Sequence, residues 1–195
     1  MSEKRVRIDL LRHGETVGGT RFRGSLDDPL TEEGFRQMEH AVAERGPWDT
    51  IVTSPLSRCA VFAESLAQRL SIPLQVDERL KEIHFGDWEG LTYAEVMATA
   101  PLALTRFMDD PLRYPPPGGE SLEAFRGRIL AALQDHLESI NLGRRLLFVT
   151  HGGVIRVLLC RARNWPFSRL FEFDVPHASF FRLCGNGQHC EELPP

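Results

Sequence analysis

Arg5-Val6-Arg7-Ile8-Asp9-Leu10-Leu11-Arg12-His13-Gly14-Glu15 is the stretch from which the rest of the chain is best read. Val6, Ile8, Leu10 and Leu11 make an apolar strand pattern that runs directly into Arg12, His13 and Gly14. Ligands of α/β sheets bind just beyond the carboxyl ends of the strands, which places His13 at the mouth of a crevice. Arg12 offers beside it a permanently charged fork of donors suited to phosphate. Gly14 is expected to let the backbone turn sharply and approach an anion.

A second stretch repeats the arrangement. Leu146-Leu147-Phe148-Val149-Thr150 is another apolar run and leads at once into His151-Gly152-Gly153. Each run thus delivers a histidine followed by glycine to the same kind of place. Val154 to Arg161 reads as a helix, whose free N-terminal amides favour a bound anion.

The chain of 195 residues suffices for one domain with a substantial core, and 42% hydrophobic with 26% charged residues is the balance of a soluble globular protein. A net charge of -4 gives no general pull toward nucleic acid or anionic membrane, so an anionic ligand must be held by a local cluster. Of the 23 basic residues only Lys4 and Lys81 are lysines, so an arginine alone says little. No apolar run approaches the ~20 residues of a membrane span. MSEKRVRIDLLRHG lacks the apolar region of a signal peptide, and a cytoplasmic location is expected. Cys59, Cys160, Cys184 and Cys190 show no metal-ligand spacing, and neither do His40, His84, His136, His177 and His189. No metal or cofactor is expected. Cys184 and Cys190 are expected in a solvated tail. Oligomeric state leaves no signal.

Thr16 to Pro29 is a Gly- and Arg-rich loop able to wrap an anion with backbone amides. Thr31 is the expected N-cap of a helix with Glu32 and Glu33 in its first turn and Phe35, Met38 and Val42 on its buried face. Asp49 to Thr53 is a strand, and Ser54-Pro55 reads as a cap with proline opening the next helix. Arg58 then lies in a first turn on the same rim as His13 and His151. Pro73 to Val76 is a further strand; Arg79 to Gly90 fits neither period. Thr92 and Glu95 form a capping box. The proline-rich span from Pro101 to Gly119 is expected to be irregular and to cover one end of the sheet. Leu122, Phe125, Ile129, Leu133, Leu137 and Ile140 mark a long helix, stopped by Asn141-Leu142-Gly143. Phe171 to Val175 and Ser179 to Leu183 are expected to pair as a hairpin. Strands alternating with helices predict a three-layer α/β/α sandwich, its sheet mainly parallel with one antiparallel edge. It spans 1–195 as one domain with a cap-like insertion at about 83–119.

Leu11-Arg12-His13-Gly14-Glu15-Thr16, Asp28-Pro29-Leu30-Thr31-Glu32-Glu33-Gly34, Ser54-Pro55-Leu56-Ser57-Arg58, Glu82 to Gly90, Gly118-Gly119-Glu120-Ser121 and Thr150-His151-Gly152-Gly153 together resemble the histidine phosphatase, or phosphoglycerate mutase-like, superfamily. The resemblance covers nearly the whole chain. It implies that His13 is the nucleophile that becomes phosphohistidine, that Arg12, Arg58 and His151 hold phosphate, and that Glu82 is the acid. Arg23, Gly24 and Gly152 are implied as further substrate contacts. The family asparagine six residues after the nucleophile is Gly19 here, and the Gly18-Gly19 turn, Thr20 and Arg21 are the candidates to replace it.

In that chemistry a neutral imidazole attacks phosphorus in line while arginines stabilise the equatorial oxygens. The arginines disfavour protonation of His13, and substrate charge keeps Glu82 protonated for the leaving alkoxide. No step requires a metal. Gly19-Thr20-Arg21-Phe22-Arg23-Gly24 most resembles the α-ribazole phosphatases of cobalamin assembly. That implies α-ribazole 5′-phosphate as substrate, with Phe85, Trp88, Tyr93, Phe107 and Tyr114 as candidate lining for an aromatic base. The alternatives are a broad-specificity sugar or nucleotide phosphatase, a phosphoglycerate mutase-like phosphotransferase, and an inactive anion-binding scaffold. The expected partner is a small phosphorylated metabolite.

Overall fold

Residues 5–139, 143–186 and 189–194 are described by the computed structural model. The strands are β1 (Val6–Arg12), β2 (Thr50–Thr53), β3 (Leu74–Val76), β4 (Arg145–Thr150), β5 (Phe180–Gly185) and β6 (Cys190–Glu192). They form one sheet in the order β3-β2-β4-β1-β5-β6. β1 pairs parallel with β4, which pairs parallel with β2, and β2 with β3; β5 and β6 close the other edge antiparallel. The helices are α1 (Glu32–Val42), α2 (Ser57–Leu70), α3 (Tyr93–Thr99), α4 (Pro101–Asp109), α5 (Leu122–Ser139) and α6 (Gly152–Ala162).

Alternation along the strands divides the core. Ile8, Leu10 and Phe148 join Phe125, Ile129 and Leu158 of α5 and α6 on one face. Leu11, Ile51 and Val149 join Met38, Phe62 and Leu66 of α1 and α2 on the other. Both faces of the parallel strands are therefore buried, as a sheet covered by crossover helices requires. Register sets the site: Arg12 pairs with Thr150 across β1 and β4, so His13 and His151 leave adjacent strands at one level.

Local signals worked where a side chain could act on its own backbone. Thr31 accepts the Gly34 amide at 2.9 Å, and the Thr92–Glu95 capping box is present. Four expectations are corrected. Pro101 opens α4, where a proline at the first helical position loses no bond, and α4 buries Leu104 and Phe107 instead of running irregularly. α2 begins at Ser57 with Leu56 as its N-cap, and the Ser54 hydroxyl accepts both the Leu56 amide at 3.3 Å and the His151 ring at 2.8 Å. Phe171 to Val175 is not a strand: the Phe173 and Val175 carbonyls accept from Arg156 and Arg12, leaving no ladder to build. β5 pairs with β6 instead, so Cys184 and Cys190 sit half-buried as free thiols in a hairpin, not in a solvated tail. The expected end of α5 at Ile140, Asn141 and Leu142 lies outside the described residues.

Trp88, Val96, Leu104 and Phe107 form a third apolar cluster, with Phe22 and Phe85 packed against it. No helix among the described residues is long and apolar enough to cross a membrane.

Candidate active site

His13 is 5% exposed, and its Nδ1 lies 2.8 Å from the carbonyl of Gly14. A carbonyl only accepts, so Nδ1 carries the proton and Nε2 keeps its lone pair. Burial holds the His13 pKa well below the usual imidazole range, with the Arg12 and Arg58 charges adding to it. The ring is therefore neutral near pH 7.

His151 is fully buried, its ring centroid 5.3 Å from that of His13. Arg58 Nε donates to its Nδ1 at 3.3 Å, which leaves the proton on Nε2 to donate to Ser54 Oγ at 2.8 Å. Burial first, and Arg58 next, depress the His151 pKa in the same direction. Arg58 also has no exposed surface, and its two terminal nitrogens donate to the Leu26 and Gly24 carbonyls at 2.7 and 2.8 Å. From beneath, this guanidinium carries the loop that faces His13.

The Glu82 carboxylate accepts from the Ile83 amide and, at 3.0 Å, from the Gly153 amide at the start of α6. One of the helix-terminal amides expected to await an anion thus already holds a carboxylate. Thr150 Oγ1 donates to the Leu80 carbonyl at 2.9 Å, fastening the end of β4 to the segment that carries Glu82.

Arg12, His13, Arg21, Phe22, Arg23, Glu82 and Phe85 line a cavity of about 180 Å³. An adjoining cavity of about 310 Å³ shares Arg12, Arg21 and Arg23 and adds Glu15, Thr16, Gly19, Thr20 and His177. Arg12 Nε is buried without a hydrogen-bond partner, so this guanidinium has donor capacity left for a ligand. Arg23 donates to Asp28 at 2.8 Å and to the Val17 and Gly19 carbonyls, and so closes the loop while it faces both cavities. Gly24 has no free backbone group: its amide goes to Glu89 and its carbonyl to Arg58. Gly152 allows close approach, since a Cβ there would lie 3.4 Å from Arg12 Nε.

Gly14 has a packing reason to be glycine. A Cβ on it would run into the Gly34 backbone, so the missing side chain lets α1 pack against the loop after β1. Of the aromatic residues expected in the pocket only Phe85 lines the cavity beside His13. Trp88 and Phe107 are buried in the third cluster, Tyr93 is exposed, and Phe22 takes a place not foreseen.

Three further residues were not singled out from the sequence. Glu89 accepts the amides of Gly24, Ser25, Leu26 and Phe85 and thereby shapes the loop over Arg58. His177 has its ring centroid 5.6 Å from that of His13; burial, then the Arg12 charge, lower its pKa to about 4. Arg156 lies in the field of Glu82 and Arg12, its pKa lowered by burial, and its Nη1 would be 3.2 Å from a Cβ at Gly152. His177 comes from a loop with no periodicity. Arg156 is spaced one turn from Gly152, which was the available signal. Among the described residues no three His, Cys, Asp or Glu side chains are grouped to hold a metal ion.

Two histidines and two arginines gathered at the carboxyl ends of parallel strands, with a carboxylate across the crevice, define a class of phosphate-handling α/β proteins. The chain belongs to the histidine phosphatase superfamily, branch 1, whose family model matches residues 8–193. It is 36% identical over 196 residues to a glucosyl-3-phosphoglycerate phosphatase of Mycolicibacterium vanbaalenii, covering 92% of this chain and 84% of that protein. It is 29% identical over 175 residues to the adenosylcobalamin/alpha-ribazole phosphatase of Salmonella typhimurium, covering 87% and 86%. Among solved structures, Bacillus stearothermophilus YhfR superposes with a TM-score of 0.88 at 32% identity over 96% of this chain and 95% of that one.

Proposed function

We propose that the protein hydrolyses phosphomonoesters of a small metabolite through a phosphohistidine on His13. The observation that carries this reading is the buried His13 ring, its Nδ1 proton held by Gly14 and its Nε2 lone pair bare, in one cavity with Arg12 and Glu82. Nε2 attacks phosphorus, the ester oxygen leaves with the Glu82 proton, and the phosphoryl group passes to His13. Glu82, now a carboxylate, takes a proton from water, which attacks phosphorus; the His13–phosphorus bond breaks and phosphate leaves. Arg12 faces the equatorial oxygens directly. Arg58 and His151 support from behind, and Arg23 with the Gly18-Gly19 turn closes the loop. Phe22, Phe85 and the third apolar cluster act as a cap over the crevice.

For the substrate, the form of Gly19 to Gly24 and the Salmonella relative support α-ribazole 5′-phosphate. The three arginines around the two cavities, and the mycobacterial relatives, support a phosphorylated acid of the glucosyl-3-phosphoglycerate kind. Rapid quench with substrate labelled at phosphorus tests the reaction: label should stay on the protein in alkali, be lost in acid, and be missing from His13→Ala. A wild-type protein that turns over without labelling overturns the phosphohistidine. Comparing kcat/KM for α-ribazole 5′-phosphate and glucosyl-3-phosphoglycerate decides between the substrates.

A further inference from the structure

The Gly118-Gly119-Glu120-Ser121 motif has no part in the cavity beside His13. Glu120 instead pairs with Arg128 of α5: Arg128 Nε donates to Glu120 Oε1 and Nη2 to Oε2, both at 2.8 Å. The pair is mostly shielded, the side chains being 23% and 19% exposed. The rest of the fork is aimed at backbone. Nη1 donates to the Arg79 and Lys81 carbonyls at 2.7 Å each, and Nη2 to the Glu82 carbonyl at 3.0 Å.

The carbonyl between them, Leu80, accepts from Thr150 Oγ1. Four successive carbonyls, from Arg79 to Glu82, are thus held by side chains of α5 and β4. The segment lies beyond β3 and begins inside a single 3-10 turn, Glu78–Leu80, so it has no ladder of its own to hold it. Glu120 also reaches past Glu82, accepting the His84 amide at 3.4 Å, while the Glu120 amide donates to the His84 carbonyl at 2.9 Å. The planar fork of arginine reaches three carbonyls and a carboxylate at once, which a single ammonium point charge does not.

We propose that Arg128, oriented by Glu120, is a positioning residue that sets the Glu82 carboxylate at its working distance from the reacting phosphorus. The proposal rests on Glu82 being the proton donor of the reaction. Arg128 touches neither substrate nor the reacting atoms; it acts through the Glu82 backbone. Displacing an acid costs most where the leaving group needs its proton, so the effect depends on the ester used.

The test compares glycerol 3-phosphate, whose alkoxide needs a proton, with p-nitrophenyl phosphate, whose phenolate does not, in wild type, Glu82→Gln, Arg128→Ala, Arg128→Lys and Glu120→Gln. Read as kcat/KM, which reports formation of the phosphoenzyme and leaves out the water step that both esters share, Arg128→Ala should lose about 10²-fold on glycerol phosphate, the scale of a misplaced catalytic group, and several-fold less on the nitrophenyl ester. Arg128→Lys should show the same selectivity, because it keeps charge and loses the fork. Glu120→Gln should fall between it and wild type. If Glu82→Gln shows the selectivity and the folded Arg128 and Glu120 variants lose both activities equally, the positioning role is overturned and the acid stands. If Glu82→Gln is itself unselective, the acid assignment fails and the positioning role with it. Should Arg128→Ala not fold, as its circular dichroism would show, Arg128→Lys and Glu120→Gln decide by the same ratio.

Discussion

Gly153 donates its amide to Glu82 at 3.0 Å, and a Cβ on Gly153 would collide with that same carboxylate. The opening residues of α6 thus hold Glu82, the proposed acid, across the crevice. The cost of occupying this space follows directly. A Cβ would also lie 3.1 Å from the Phe125 ring, in a core already filled. Gly153→Ala should destabilise the protein by about 1–3 kcal/mol through overpacking. By pushing Glu82 aside it should lower kcat by about 10²-fold. Urea titration and steady-state kinetics measure the two; unchanged kcat would show that Glu82 does not need its present position.

The buried histidines make stability depend on pH. Their folded pKa values lie well below 6.5, so the unfolded chain binds protons that the folded one does not as pH falls through 6.5. No stability is lost above about pH 6.5, the unperturbed imidazole value, and below it each such histidine costs about 1.4 kcal/mol per pH unit until its folded pKa is reached. Urea midpoints between pH 7.5 and 5 should fall on the acid side, and less steeply in His13→Asn. Equal slopes would mean that His13 is protonated in the folded state.

Activity should keep its proposed nucleophile over the same range. Burial and the Arg12 and Arg58 charges hold His13 neutral, so no loss of kcat/KM from its protonation is expected at an ordinary imidazole pKa. An acid limb centred near 6.5 that disappears on moving to a substrate with a strongly acidic phosphate belongs to the substrate. One that stays belongs to the enzyme and contradicts the environment of His13.

The third apolar cluster, proposed as the cap, should be separable from the chemistry. Leu104 has no exposed surface there and lies in α4, away from the cavity lining. Leu104→Ala should cost about 2–5 kcal/mol. Phe22 packs on Phe85 and Trp88 with centroids 5.2 and 5.3 Å apart, which carries any loosening to the pocket wall. The expected kinetic result is a raised KM with the phosphoenzyme still formed.

His177 distinguishes the two substrate readings. If the arginine-lined space takes a second anionic group, the kcat/KM ratio for 3-phosphoglycerate over glycerol 3-phosphate should exceed one. It should drop about tenfold in His177→Ala, the scale of one hydrogen bond to a charged group. A ratio near one in the wild type favours a substrate whose remainder is uncharged.

The sequence by itself determined the parts in which neighbours along the chain do the work. Strand patterns ending in Arg12-His13 and Thr150-His151, the Thr31 and Thr92 caps, and the placing of Arg58 in the first turn of a helix all follow from local period and capping. They sufficed to foresee a mainly parallel sheet with both histidines on one rim. Tertiary structure alone decided what long-range partners control. Register across β1 and β4 brought His13 beside His151, and the sharing of Phe173 and Val175 carbonyls with arginines replaced an expected strand by a loop. Glu89, Arg128, Arg156 and His177 gained their places from residues far away in sequence, as in the 65-residue separation between Gly24 and Glu89. An arginine or a carboxylate has the same sequence signature in solvent as in a buried fork, and only the fold supplies the carbonyls and amides that tell them apart.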